Sequence, residues 1–233
     1  MFSKPKPIRT LPPDIDILQS VLVPSVKPTD LQNIWQLGLR HCVNGRKIKG
    51  NLKYGPTFAP TISPETLRFQ LSYSAAFNFK LQTGDYSNAF QCTYEPDANK
   101  RIWCHPPPFY LQWWNLRYPN DPLDPTDGPF AMQAIQNIQG TPHAGNRWKA
   151  NLDNQLNKHG YNCNNVDKAF FTYHHQGELQ AMLSTTVDDF LLSYKHQHVC
   201  DTFFTFMADA FDITTPGCQR EISFLSLRIF QSE

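Results

Sequence analysis

Two adjacent carboxylates, Asp188 and Asp189, are the residues whose types and setting most directly suggest chemistry in this sequence. Mostly apolar runs over residues 181–187 and 190–193 flank them, and each run is short enough to be a β-strand. Neighbouring strand residues point to opposite faces, so both carboxylates can converge on one site only from the tight turn of a hairpin. Like charges there repel each other unless a cation lies beside them, which favours a Mg²⁺ site. The alternative is an ordinary solvated Asp-Asp turn.

A third carboxylate, Asp85, comes just after a strand that we predict over residues 77–83. A lone Asp after a strand is usually a cap or turn residue. Its interest therefore depends on the pair at Asp188 and Asp189, much further along the chain.

The elements that must position these carboxylates are predicted from the spacing of apolar residues. Ser63 and Pro64 predict the start of a helix, and Leu67, Leu71 and Ala75 recur on one face of it. In order, we predict a strand over 36–43, that helix, the strand over 77–83, an irregular Pro-rich segment over 91–130, helices over 130–138 and 142–159, strands over 169–173 and 179–185, a helix over 199–210 and a closing strand over 222–230. This order indicates an α+β fold, with antiparallel strands and helices on one face of the sheet.

The length of 233 residues, with 40% hydrophobic residues, suits one large globular domain or two small ones. Residues 1–30 are rich in Pro, and we predict that they form an extended N-terminal arm. The predicted domain then covers residues 31–233.

The charges are divided unevenly along the chain, although its net charge is only +1. Residues 1–60 hold nine Lys and Arg against three Asp and Glu, whereas residues 61–233 hold twelve against seventeen. This division fits a protein that holds phosphates with one part and a metal with the other. A basic hairpin at residues 46–49 could clamp a phosphate, but the basic part could equally be a tail and the hairpin a solvated turn.

The six Cys residues are scattered, and none forms a Cys-x-x-Cys pair, so we predict no zinc site and a reducing, intracellular and cytoplasmic setting. We interpret His196, His198 and Cys200 as a polar loop that enters a helix rather than as metal ligands. No run of 18 apolar residues is present, so we predict no membrane span and no membrane partner.

Six short motifs occur in one order along the chain. They are Tyr-x-x-Thr-Phe-Ala-Pro at residues 54–60, Asp-x-x-x-Ala-Phe at 85–90, Pro-Pro-Pro-Phe at 106–109, a Gln-containing helix start before a Trp at 139–148, Thr-Val-Asp-Asp at 186–189 and Phe-Leu-Ser-x-x-Ile at 224–229. In this order they resemble the reverse transcriptase domain of copia-type retrotransposon polyproteins. The resemblance runs from about residue 37 to residue 229, and the ordered set is much more specific than any one motif.

The resemblance implies a right-hand polymerase palm, with partial fingers and little or no thumb, that would fill residues 31–233. It implies an RNA-directed DNA polymerase that joins deoxynucleotides (dNTPs) to a primer 3′ hydroxyl on an RNA or DNA template. Such transfer uses two Mg²⁺ ions, with Mn²⁺ as an alternative.

The resemblance also assigns roles to single residues. Asp85 and Asp188 would bridge both metal ions, and Asp189 would assist them. Phe90 would lie under the nucleotide sugar and exclude a 2′-hydroxyl, and plain core packing is the alternative for this Phe. Arg40 would contact the triphosphate and Gln139 would line the nucleotide pocket, whereas a solvated surface position is the alternative for both.

Three residues depart from the family pattern. Thr186 replaces the family's Tyr before Val-Asp-Asp, Ser226 replaces a Gly in the closing strand, and Gly38 replaces a basic residue two positions before Arg40. These departures support a second hypothesis, in which the chain is a decayed and catalytically inactive nucleic-acid-binding remnant of such a polyprotein.

Overall fold

A computed structural model of the chain describes residues 2–28, 35–45, 57–95, 97, 101–217 and 219–231. The basic hairpin predicted at residues 46–49 and the first part of the motif at 54–60 lie outside the described residues. The chain divides into two compact units, Met1–Thr57 with Thr93–Ala144 and Phe58–Cys92 with Gly145–Glu233. No helix in the described part is long and apolar enough to cross a membrane.

The chain has a mixed α+β architecture. Its elements are β1 (Lys6–Pro7), β2 (Ile17–Leu18), β3 (Ser20–Pro28), β4 (Trp35–Val43), α1 (Pro64–Ala76), β5 (Lys80–Tyr86), β6 (Trp103–Cys104), α2 (Tyr110–Arg117), β7 (Phe130–Gln133), α3 (Ala144–Lys158), β8 (Tyr161–Cys163), β9 (Phe170–His175), β10 (Glu178–Thr185), β11 (Asp189–Tyr194), α4 (Gln197–Ala210), β12 (Ile213–Thr214), β13 (Glu221–Phe224) and β14 (Leu227–Phe230). Short 3₁₀ helices cover Ile8–Thr10, Ala89–Cys92 and Pro125–Asp127.

The second unit is built on a six-stranded sheet in the order β12-β5-β11-β10-β9-β8, in which every neighbouring pair is antiparallel. One face packs against α3 and α4 in a core that includes Trp148, Leu183 and Phe203. The other face packs against α1 and the β13–β14 hairpin in a core that includes Leu67 and Met182.

The prediction that helices cover one face of the sheet is therefore wrong. The reason lies in β10, where six successive residues from Gln180 to Thr185 are all buried. A strand that is buried at successive positions needs a cover on both faces, because neighbouring side chains point in opposite directions. The antiparallel sheet and the α+β class are confirmed.

The first unit combines a four-stranded sheet in the order β1-β7-β6-β2 with a two-stranded antiparallel sheet of β3 and β4. Its core includes Leu18, Ile102 and Met132. This unit takes in residues on both sides of the predicted boundary at residue 30, because β1 pairs with β7 and β2 pairs with β6.

Most predicted elements of the second unit are confirmed. Ser63 caps α1, since its hydroxyl accepts a hydrogen bond from the Thr66 N–H at 3.2 Å. Trp148, Leu152 and Leu156 form the buried face of α3, and His196 precedes α4 as the N-cap. The predicted strands at 169–173 and 179–185 correspond to β9 and β10.

Three predicted elements are wrong. Residues 130–138 hold the short strand β7 rather than a helix, because the run Phe130–Ala131–Met132 is buried between β1 and β6. The closing strand is instead the hairpin β13–β14, which turns at Leu225 and Ser226 with φ of 48° and 64°. The segment over 91–130, predicted as irregular, contains β6 and the helix α2.

Candidate functional site

The hairpin β10–β11 carries the paired carboxylates at its turn. The strands pair from Ala181 with Tyr194 to Thr185 with Phe190, so the turn begins at Thr186. The Thr186 N–H donates to the Asp189 carbonyl oxygen at 2.8 Å, and the Asp189 N–H donates to the Thr186 hydroxyl at 3.1 Å. Thr186 therefore closes the turn with both its backbone and its side chain.

Asp85 lies directly opposite Asp189 in the antiparallel pairing of β5 with β11. Facing residues of such a pair have Cβ atoms about 4.5–5.5 Å apart. Phe190 and Tyr86, the residues next to the two carboxylates, both point into the core beneath α3 and α4. The side chains of Asp85 and Asp189 consequently point to the opposite face of the sheet.

Asp188 is held beside this pair through its backbone. Its carbonyl oxygen accepts a hydrogen bond from the Tyr86 N–H at 2.6 Å, which ties the turn to β5. All three carboxylate side chains are exposed to solvent. The cross-strand partner of Asp85 is thus Asp189, whereas Asp188 belongs to the turn next to it.

The strands beneath the carboxylates are held in place by buried side chains. A Cβ at Gly84 would overlap the ring of Phe190, so a glycine next to Asp85 lets β5 approach β11 over a fully buried aromatic ring. Burial raises the pKa of the Tyr86 hydroxyl, which keeps this neighbour of Asp85 neutral. The ring of Tyr86 packs on that of Phe190, with the centroids 4.9 Å apart.

Gln70 is a residue of this region that the sequence analysis missed. It is fully buried on α1, and its amide nitrogen donates to the carbonyl oxygens of Met182 at 3.3 Å and Leu191 at 3.1 Å. The same nitrogen donates to the Ser193 hydroxyl at 2.9 Å, and the Ser184 hydroxyl donates to the amide oxygen. One side chain therefore bridges both strands of the hairpin. The signal was a polar residue three positions after Leu67, on the apolar face of the helix.

The carboxylates fit the protein's share of a Mg²⁺ site in part. Mg²⁺ is usually held by one or two carboxylates together with waters and substrate phosphates, which the exposed pair of Asp85 and Asp189 could supply. Among the described residues, no group of three or more His, Cys, Asp or Glu is arranged to hold a metal ion. The backbone of Asp188 is tied to β5 next to this pair, but its side chain does not complete an assembled cluster of three in the described residues.

Phe90 lies in the 3₁₀ helix that follows β5. It is half-buried and packs against the core formed with α3 and α4. Its ring reaches the start of α3, where a Cβ on Gly145 would lie 3.9 Å from the Phe90 Cε1 atom. The Phe90 side chain is therefore packed on one part and open to solvent on another.

Arg40 and Gln139 belong to the first unit. Arg40 is an exposed residue of β4 opposite Val23. The Gln139 carbonyl oxygen accepts from the Val43 N–H at 2.9 Å, and the Cys42 thiol donates to the Gln139 amide oxygen at 3.5 Å. Because residues 40 and 42 share one face of β4, the Gln139 amide lies on the same face as Arg40.

The approach of these two segments depends on a glycine. Gly140 has a φ of +93°, and a Cβ there would overlap the carbonyl oxygen of Val43. Only glycine can adopt this conformation at this distance from a neighbouring backbone.

Comparison of the chain with models of known protein families and with curated proteins found no match.

Proposed function

We propose that this chain is an RNA-directed DNA polymerase domain of the copia type, and that its six-stranded sheet is the palm. The observation that carries the proposal is the direct pairing of Asp85 with Asp189 at the exposed ends of two buried strands, with Asp188 in the adjoining turn. The sequence motifs support it as well. Asp85 and Asp189, which the resemblance marks as metal ligands, are far apart in the sequence and yet pair with each other in the sheet.

The chain's residues suggest how the parts of the reaction would be divided. Asp85 and Asp188, assisted by Asp189, would hold Mg²⁺, and the bound metal would activate a primer 3′ hydroxyl and stabilise the charge on the phosphate during nucleotidyl transfer. Phe90 would restrict the space at the sugar of a dNTP. Arg40 would bind the triphosphate with its forked donors, and the Gln139 amide on the same face of β4 would contact the nucleotide.

A second candidate function is nucleic-acid binding without catalysis. Ser226 adopts a φ of 64°, a conformation that favours glycine, and it stands where the family has Gly. A strained residue at a family glycine is what a decayed copy would accumulate. In this alternative the fold persists but the carboxylates carry out no reaction.

Primer extension on an RNA template, with dNTPs and Mg²⁺, tests the proposal. We expect the chain to extend the primer, and we expect Asp85→Asn, Asp188→Asn and Asp189→Asn each to lower the rate by roughly 100-fold or more. Asp209→Asn is the control, because Asp209 is an exposed residue of α4 outside the carboxylate site. A wild-type chain that fails to extend a primer would reject the polymerase and favour the inactive remnant.

A further inference from the structure

A cavity of about 260 Å³ lies in the second unit, on the face of the sheet that α3 and α4 cover. It opens at the end of β10 away from the carboxylates, because Gln180 lines it and Thr185 precedes the turn. These two positions are five residues apart along the strand, a distance of about 16 Å. The cavity is therefore separate from the candidate polymerase site.

The interior of the cavity is aromatic. Tyr161, Tyr173, Phe203 and Phe206 are among the residues that line it, and Phe203 is fully buried. Tyr161 and Tyr173 stand opposite each other on β8 and β9, with ring centroids 5.2 Å apart and planes 22° apart. Burial raises the pKa of the Tyr161 hydroxyl, so the wall is uncharged. Such a space suits a flat ring system of modest size.

One polar amide reaches this aromatic space because of an irregularity in the sheet. The pairing of β10 with β9 shifts between Leu179 and Ala181, which leaves Gln180 as an extra residue. In a regular strand Gln180 would point away from the face that Ala181 lines, but the bulge turns it toward the cavity. Gln180 is buried, with 8% of its surface exposed. Bulges of this kind often redirect a side chain beside a functional site.

Three histidines form the exposed rim of the cavity. The His159 ring lies flat on Phe206, with the centroids 3.9 Å apart and the planes 7° apart. His175 is the last residue of β9, and His198 lies in the first turn of α4. That first turn contains no acidic residue. The positive end of the helix dipole and the imidazole donors both favour an anion at this rim. The nearby acid Glu178 is paired with Lys195 at 3.0 Å, and its carboxylate also accepts a hydrogen bond from the Gln180 side chain.

We propose that this cavity binds a single nucleotide, with the base against the aromatic lining and the phosphate at the histidine rim. Nucleobases stack on Tyr, Phe and His rings, and a Gln amide can pair with the edge of a base. The same chemistry is offered by a free nucleoside monophosphate and by an unpaired nucleotide of a single strand. The second source rests on the proposed function, whereas the first does not.

Two matched threonines of α4 provide the test. Thr202 lines the cavity, whereas Thr205 does not, and each donates its hydroxyl to the backbone carbonyl four residues earlier at 2.8 Å. Thr202→Trp should fill the cavity, and Thr205→Trp should leave it open, while both positions are exposed. We expect Thr202→Trp to weaken the binding of adenosine monophosphate at least roughly tenfold, and Thr205→Trp to change it less than twofold.

The binding is measured by equilibrium dialysis of the full chain without Mg²⁺. Ribose 5-phosphate, which lacks the base, should bind at least roughly tenfold more weakly than adenosine monophosphate. Should Thr202→Trp fail to fold, His198→Ala replaces it, with His174→Ala as its control outside the cavity. His198→Ala should weaken binding of the monophosphate but not of adenosine, because only the first carries the anion.

A short single strand of oligoadenylate separates the two sources. Tighter binding of the oligonucleotide than of the monophosphate identifies a strand as the ligand, and the reverse identifies a free nucleotide; either result supports the site. Equal binding by Thr202→Trp and Thr205→Trp, or no binding of either probe by the wild type, overturns the proposal. Asp188→Asn should bind the monophosphate as the wild type does, so loss of primer extension and loss of this site are distinguishable.

Discussion

At the scale of single residues, a substitution of Phe90 can distinguish a role in core packing from a role in sugar selection. It follows Asp85 by five residues and packs against the core while remaining half-buried. We predict that Phe90→Val raises the incorporation of ribonucleotides relative to dNTPs by roughly tenfold or more, because a smaller side chain admits a 2′-hydroxyl. Single-nucleotide primer extension with each sugar measures this ratio.

The matched control for Phe90 is Phe204→Val. Phe204 is also partly buried against the same core, but it lies on α4. This variant should lower stability without changing the ratio of the two sugars. An equal loss of both activities in Phe90→Val would identify Phe90 as a packing residue.

Ser226 gives a prediction about stability that is independent of function. Its φ of 64° is in the left-handed region, which costs a non-glycine residue about 1 kcal/mol. Ser226→Gly should therefore raise the free energy of unfolding by up to about 1 kcal/mol in urea denaturation. Ser223→Gly, in β13 of the same hairpin, is the control and should lower it by about 0.5–1 kcal/mol. The prediction fails if both substitutions destabilise the chain equally.

The residues of the carboxylate site could be predicted, but their pairing could not. The predicted strand over 77–83 begins three residues before β5, because Asn78 has a φ of 56° and belongs to the turn that ends α1. Asp85 was therefore placed beyond the strand rather than within it. Its position opposite Asp189 depends on the register between strands more than 100 residues apart, and no local pattern sets that register.

At the scale of elements, Gln70 holds the hairpin that carries Asp188 and Asp189. We predict that Gln70→Leu lowers the free energy of unfolding by about 2–4 kcal/mol, because it leaves the hydroxyls of Ser184 and Ser193 without this buried partner. Gln155→Leu, at a half-buried position of α3, is the control and should change it by less than about 1 kcal/mol. Urea denaturation compares the two, and equal effects would show that the bridge contributes nothing specific.

Asp167 connects the start of α1 with β9 and should make stability depend on pH. Burial raises the pKa of its carboxyl, but hydrogen bonds from the N–H groups of Ser63 at 2.9 Å and Ala169 at 3.0 Å outweigh burial and lower that pKa below its ordinary value of 3.8. Since the folded pKa is the lower one, this stabilisation is present above pH 3.8 and is lost as the pH falls through the folded pKa.

The experiment on Asp167 compares wild type with Asp167→Asn by urea denaturation at pH 7 and near pH 2.5. We expect the wild type to be the more stable at pH 7 and the difference to shrink at the acid pH. A difference that stays constant between the two pH values would contradict the role of this carboxylate.

Elements were predicted best where one face of a long helix repeats, as in α1, α3 and α4. The strand β7 was mistaken for a helix because its short apolar run shows no periodicity that distinguishes the two, and its burial comes from pairing with β1 and β6. The turn at Leu225 and Ser226 was missed because neither residue is Gly or Asn, the usual signals of a two-residue hairpin turn.

At the scale of the whole molecule, the two units differ in the sign of their net charge. The first holds twelve Lys and Arg against eight Asp and Glu, whereas the second holds nine against twelve. Nucleic acid binds mainly through contacts of Lys and Arg with phosphates, and salt weakens such binding. The unit with the net positive charge is therefore a different one from the unit that carries Asp188.

The most direct test measures binding and extension together in wild type and Asp188→Asn. We predict that both chains bind a template–primer duplex with the same affinity and the same loss of affinity with added salt, because Asn keeps the volume of Asp and the basic residues are unchanged. Primer extension with Mg²⁺ should be lost in Asp188→Asn alone, because one carboxylate of the site is gone. If the wild type extends no more than Asp188→Asn while both bind equally well, the polymerase proposal is contradicted and the inactive remnant stands.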